Sequence, residues 1–283
     1  MILFPLLATL LFGINNLVWK KLITIYSVVD AIFYRSIFTF IICLSLVWVF
    51  NVSLQFNLID LRYIYLSCTV SALALFLWVK AIGNLPIWMV LATTYFNSVF
   101  SLLLGYIVFG EHPNLVQAFG CILILAGFGI SNIYSSSNIT TQGGLKLLQP
   151  LTAIFIWNLN MSNLKQYTQI YPPISIALIQ EVSTFIIAML VFIFTHINKR
   201  KTDLKHTNNR LHWLFIAASI LAIAVVTEMK ALATAPLFVN AVFSTLTSII
   251  GMIAGVVIWK EKMNKFQVLG VLLMCFGVLV FTY

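Results

Sequence analysis

Apolar residues run through this chain in blocks of about twenty, each long enough to cross the roughly 30 Å hydrocarbon core of a bilayer as a helix. Read with their polar punctuation, the blocks predict spans at 3–19, 31–50, 63–82, 86–109, 114–134, 145–164, 173–196, 211–231, 236–259 and 265–283. Some connections are very short: Gly83-Asn84-Leu85-Pro86 and Ala233-Thr234-Ala235-Pro236 force the helices they join to run antiparallel. The polar stretch from Ser135 to Gly144 divides the spans five and five. The predicted organisation is therefore a unit at 1–134, a linker at 135–144 and a second unit at 145–283.

Composition strengthens this reading. Of 283 residues 61% are hydrophobic and 8% charged, against about 45–50% and 25% in a soluble domain. The longest polar stretch, near 196–212, is only a loop, so no soluble catalytic domain fits. A net charge of +9 in such a chain marks membrane topology rather than nucleic-acid binding. Cys43, Cys68, Cys121 and Cys275 each lie inside an apolar run, without disulfide or metal spacing. The start Met1-Ile2-Leu3-Phe4-Pro5 has no positive leader, so the first span is expected to stay in the mature protein. His112, His196, His206 and His212 fall in or beside loops, and neither paired carboxylates nor a nucleophile motif occurs. A membrane-embedded enzyme and a non-transporting scaffold or receptor remain the alternatives to a carrier.

Comparing the chain with itself at an offset of 150 aligns rare residue types: Lys80 with Lys230, Pro86 with Pro236, Glu111 with Glu261, Asn114 with Asn264 and Gln117 with Gln267. Gly105, Gly120 and Gly127 align with Gly255, Gly270 and Gly277. Such residues rarely coincide by chance in a leucine-rich chain, so the halves are internal repeats. Five spans per repeat is an odd number, which makes the second enter the membrane from the opposite side. The expected fold is all-α and integral to the membrane, ten transmembrane helices in two inverted repeats, an architecture of secondary transporters.

The recurring pattern, Lys-Ala-(Ile/Leu)-x-x-x-Pro at a hairpin, a span ending in Glu, then Gln-x-x-Gly and a glycine seven residues on, resembles the EamA-type permeases of the drug/metabolite transporter superfamily. The resemblance implies a cofactor-free carrier of small metabolites, amino acids or related organic solutes, with export common. It implies a multi-pass protein of a bacterial cytoplasmic membrane, a monomer or homodimer working by alternating access.

Within that frame, Pro86 and Pro236 start helices, and Glu111 and Glu261 end spans where water or the N–H groups of the next helix start receive them. Gly120 and Gly270 belong to the same structural motif. Ser101 and Gly105, matched by Gly251 and Gly255, give a small-x-x-x-small spacing that lets helices approach closely. Glu181, deep in the seventh span, is either a protonatable coupling residue, the basis for proton coupling, or, with Gln180 beside it, a structural partner of Arg35. Glu228 is a second coupling candidate. Lys80 and Lys230 either snorkel to headgroups or attract an anion at the mouths of a pathway. Asn15, Asn16, Tyr95, Asn97, Asn158, Asn160 and Asn240 offer donors and acceptors along the helices that line the path in the resembling family. Trp19, Trp88 and Trp157 offer apolar walls for that path, Trp157 the best placed; near span ends Trp19, Trp88, Trp213 and Trp259 suit interfacial anchors instead.

Charge also bears on orientation. One set of loops holds Lys20, Lys21, Lys80, Lys146, Lys199, Arg200, Lys201, Lys205, Arg210, Lys260, Lys262 and Lys265; the other holds Arg62, Lys165 and Lys230. By the positive-inside rule the first set is cytoplasmic and both termini lie outside, whereas the resembling permeases are drawn with both inside. A reporter active only in the cytoplasm, fused after Tyr283, is expected to stay silent at good expression. Strong activity would overturn the charge-based orientation.

Overall fold

The computed structural model describes residues 3–110, 112, 114–133, 141–197 and 211–281, and every regular element among them is helical. The first half comprises α1 (Leu3–Leu22), α2 (Val28–Val49), α3 (Leu58–Asn84), α4 (Ile87–Ala92), a 3₁₀ turn (Thr93–Tyr95), α5 (Phe96–Phe109) and α6 (Leu115–Ile133). The second comprises α7 (Thr141–Tyr167), α8 (Pro173–Ile197), α9 (Leu211–Thr234), α10 (Leu237–Ser244), α11 (Leu246–Val257) and α12 (Lys265–Phe281). Counting α4 with α5 and α10 with α11 as single spans gives ten membrane helices. Among the described residues seven spans are long and apolar enough to cross a bilayer by themselves; α6 and α12 are shorter apolar helices, and α7, with Pro150 inside it, falls in neither group.

The two broken spans differ from the uninterrupted helices that the apolar runs predict. Thr93 and Thr94 donate to Val90 O and Leu91 O at 2.6 and 2.7 Å, and Thr247 donates to Ser244 O at 2.6 Å. Hydroxyls bonding three residues back compete for the carbonyls and tighten the local turn.

Helix starts explain much of the repeated motif. Asn114 and Gln117 cap each other reciprocally at 3.0 and 2.7 Å, and Asn264 and Gln267 do the same at 2.9 and 2.8 Å. These are capping boxes at the starts of α6 and α12. Pro86 and Pro236 immediately precede α4 and α10. Pro86 brings no side-chain acceptor, and Glu261 supplies one: it receives Ile87 N at 3.0 Å and Trp88 N at 3.5 Å. The expectation that Glu261 serves the helix that follows it is corrected here. That helix has its own capping box, and the left-handed backbone of Lys260 (φ 53°) turns Glu261 back onto α4 of the other repeat. Glu111 lies outside the described residues.

Exchanging the repeats maps the packing onto itself. The pairs α1·α9 and α3·α7 trade places, as do α4·α11 and α5·α10, while α2·α8 and α6·α12 each map onto themselves. The α6·α12 crossing depends on glycine. A Cβ on Gly270 would lie 2.5 Å from Gly127 O, and one on Gly277 would lie 2.8 Å from Gly120 O. Such approach lets helices gain contact in lipid, where no hydrophobic force joins them. Gly251 abuts Leu91, and Gly255 lies against Ile87 and Glu261.

The structure also reveals a register that the 150 offset hides. Lys20 donates to Leu85 O at 3.0 Å and Lys165 to Ala235 O at 2.9 Å, so these lysines hold equivalent places although they are 145 apart. At that offset Pro5 meets Pro150, Asn15 meets Asn160, Tyr26 meets Tyr171, and Thr39-Phe40-Ile41-Ile42 meets Thr184-Phe185-Ile186-Ile187. The shift falls between α2 and α3 in one repeat and between α8 and α9 in the other.

Glycine substitutions test the crossing. Gly270→Ala is expected to destabilise the protein by about 1–3 kcal/mol through overpacking. Gly129→Ala, where a Cβ meets nothing within 4 Å, is expected to be neutral or to gain up to about 1 kcal/mol. Thermal unfolding of the two variants in detergent checks the contrast.

Candidate functional site

A cavity of about 210 Å³ lies between the repeats. It reaches from Trp19 and Trp78, near the end of α1, to Pro5, Leu232 and Leu237, near its start. Residues from both repeats line it.

A hydrogen-bonded chain crosses one side. Ser101 donates to Asn158 Oδ1 at 2.8 Å, Asn158 Nδ2 donates to Asn97 Oδ1 at 2.8 Å, and Asn97 Nδ2 donates to Ser244 Oγ at 2.7 Å. This joins α5, α7 and α10. Beside it Thr94 lies 3.2 Å from Thr247 Oγ1 and 2.6 Å from Ser248 Oγ, and Ser248 donates to Leu91 O. Thr94 with Thr247 and Asn97 with Ser244 are one contact made twice, since 94 matches 244 and 97 matches 247. The pseudo-twofold therefore passes through the two helix breaks.

The aromatic wall is fixed by its polar edges. Trp78 Nε1 donates to Asn16 Oδ1 at 2.9 Å, Trp157 Nε1 donates to Ser71 O at 3.2 Å, and the two indoles stand 5.2 Å apart. Trp19 is 1% exposed beneath the guanidinium of Arg35, whose Cζ is 5.1 Å from the ring centre. The reading of Trp19 and Trp88 as interfacial anchors is thereby corrected, because both are buried. Trp19 lies against Arg35, and Trp88 packs in the apolar core of the bundle.

Three charged side chains line the cavity: Arg35 on α2, Glu181 on α8 and Glu228 on α9. The charges of Arg35 and Glu181 attract one another, yet among the described residues they do not close to a salt bridge. Several buried polar atoms of the wall have no hydrogen-bond partner among the described residues: Asn15 Oδ1, Arg35 Nε and Nη2, Gln180 Oε1, Glu181 Oε2, and both amide atoms of Asn240. Unmet polar atoms at such depth are costly, and here they gather around one space.

Of the residues singled out from sequence, Asn15, Asn16, Asn97, Trp157, Asn158, Glu181, Glu228 and Asn240 line the cavity. Tyr95 instead packs against α12, with its hydroxyl 2.8 Å from Cys275 Sγ. Asn160 is buried between α7 and α3, where it accepts from Ser67 at 2.6 Å. Lys80 and Lys230 are exposed, Lys230 lying 5.6 Å from the ring of Phe4. Ser101, expected only to pack, contributes to the polar chain. The residues that sequence reasoning left out are Trp78, Ser244 and Thr247, while Arg35 and Gln180 entered only beside Glu181. A charge in the middle of an apolar run was the signal for Arg35, as it was for Glu181.

The profile of the EamA-like transporter family matches residues 1–133 and again residues 144–283. Among solved structures, the crystal structure of a protein that is 14% identical superposes with a TM-score of 0.67 over 97% of this chain and 98% of its own, a likeness of fold. Among curated proteins no match is found.

The polar chain can be tested. Asn158→Ala removes the partner shared by Ser101 and Asn97, and is expected to cost about 1–3 kcal/mol of stability. Thermal unfolding measures it, with exposed Thr152→Ala in the same helix as the control.

Proposed function

Because the chain belongs to the EamA-like transporter family, a family of membrane transporters and not of enzymes, we propose that it exports small organic solutes, amino acids or their relatives, by alternating access. The observation that carries this reading is the cavity between the repeats, where polar atoms of Arg35, Glu181, Gln180, Asn15 and Asn240 without hydrogen-bond partners among the described residues surround a space of about 210 Å³. That is below the roughly 300–1,000 Å³ of sites for drug-sized ligands, which points to a compact cargo. The wall offers both donors and acceptors, so a polar solute exchanges its hydration for protein bonds.

Alternating access needs elements that bend without breaking the fold. The broken spans α4–α5 and α10–α11 meet through Thr94, Thr247 and Ser248, beside the cavity, and hydroxyl contacts re-form at little cost when helices slide. Rocking of one repeat against the other about this seam would expose the cavity to each side in turn. Glu181 is the coupling group in this scheme and Glu228 the second candidate; each takes up and releases a proton as the cavity changes sides. The lipid bilayer is the protein's surroundings, and no bound cofactor enters the cycle.

Purified protein in liposomes is expected to show counterflow of radiolabelled amino acids from a panel of the common twenty, and accumulation when a proton gradient is imposed. Glu181→Gln is expected to lower accumulation more than it lowers exchange, since glutamine keeps an acceptor oxygen but cannot alternate between protonation states. Undiminished accumulation by Glu181→Gln would sink the coupling role. Failure to move any of the amino acids, organic acids, nucleosides or sugars would sink the carrier reading itself.

A further inference from the structure

The unmet atoms of the cavity have a polarity. On Arg35 they are Nε and Nη2, which together form one edge of the guanidinium, a fork of two parallel donors. The same cavity lining holds acceptors without donors: Asn15 Oδ1, Gln180 Oε1 and Glu181 Oε2. Arg35 and Glu181 are 1% and 2% exposed, on the helices α2 and α8 that pack on one another across the pseudo-twofold. Trp19 lies against the guanidinium, so Arg35 is backed by a ring and presents its edge rather than its face to a ligand. A two-donor fork fits the two oxygens of a carboxylate, a match that a single ammonium charge cannot copy. The acceptors fit a group with several N–H donors and positive charge, and Glu228 adds a second carboxylate to the same lining.

We propose that Arg35 is the specificity-determining residue of this cavity: its fork takes the carboxylate of a zwitterionic solute whose ammonium group is received by Asn15, Gln180 and Glu181. Solute binding then satisfies both sets of orphaned atoms in one step, with the ligand standing between two charges that the protein keeps apart. A neutral sugar can hydrogen-bond to both poles but brings charge to neither, and an amine without a carboxylate leaves the fork empty. The inference rests on the carrier reading above and names which solutes the carrier selects.

Isothermal titration of the detergent-solubilised protein with the twenty common L-amino acids tests it. For the tightest binder, the matching amine that lacks only the carboxylate is titrated alongside. The amino acid is expected to bind at least about tenfold more tightly than its amine, the scale of a charged hydrogen-bonded pair. Arg35→Gln is expected to weaken the amino acid by about tenfold or more and the amine by less than about twofold, with Arg35→Lys in between because it keeps the charge and loses the fork. Equal affinity of the unaltered protein for amino acid and amine overturns the proposal, and that comparison needs no variant to fold. Undiminished amino-acid binding by Arg35→Gln overturns it too, as does failure of all twenty to bind. In that last case counterflow of a nucleoside or sugar would leave the carrier reading standing, whereas absence of all transport would remove both.

Discussion

A polar atom in hydrocarbon has no water to fall back on, and the need to meet each one inside the protein organises this molecule. The constraint appears first at helix ends. Asparagine–glutamine boxes close the starts of α6 and α12, a carboxylate from the second repeat closes the start of α4, and two lysines hold the carbonyls where α3 and α9 turn over. It appears again where hydroxyls bond to their own helix and interrupt the fourth and ninth spans. The motif that repeats along the chain is in large part a set of solutions to this one problem.

Against that background the cavity stands out as the place where buried charged groups are left unmet. Elsewhere in the bundle Ser67 donates to Asn160 Oδ1, and the atoms left without a partner among the described residues, such as Asn160 Nδ2 and Ser98 Oγ, are uncharged and scattered. Around Arg35 and Glu181 the groups are buried, charged and apart. Asn158 shows how the two regimes adjoin: its amide is fully engaged with Asn97, Ser101 and Ile154, and it braces a wall whose opposite side is unmet. Rigidity on one side and unspent hydrogen-bonding capacity on the other is what a site for a polar solute requires.

Run length and punctuation located the helices to within a few residues, and one fixed offset exposed the repeat over its last three spans. The first two spans escaped because they follow a different offset: a change of connection length after α2 moves Asn15, Lys20 and the Thr39–Ile42 block out of step with Lys80 and Pro86. Site residues were legible as buried polar types but not by direction. Asn158 and Asn160 are two apart on one helix and so point to different sides; one reaches the cavity and the other the α3 interface. Tyr95 and Asn97 divide in the same way. Glu228 and Lys230, also two apart, divide between cavity and exposed surface. The cross-repeat role of Glu261 was hidden because a carboxylate after one helix and before another looks like a cap for its neighbour, and only the three-dimensional path shows that it serves a more distant end.

That crosswise cap has a bearing on how the protein is made. Ile87 and Glu261 are separated by 174 positions, so α4 leaves the ribosome long before its capping carboxylate exists. The first repeat must wait in the bilayer with an open helix end until almost all of the second has been inserted. A late stage of biogenesis is therefore a closure in which the older half receives a capping contact from the younger. A nascent chain stopped short of α11 would have every span of its first repeat and still lack the bond that completes it.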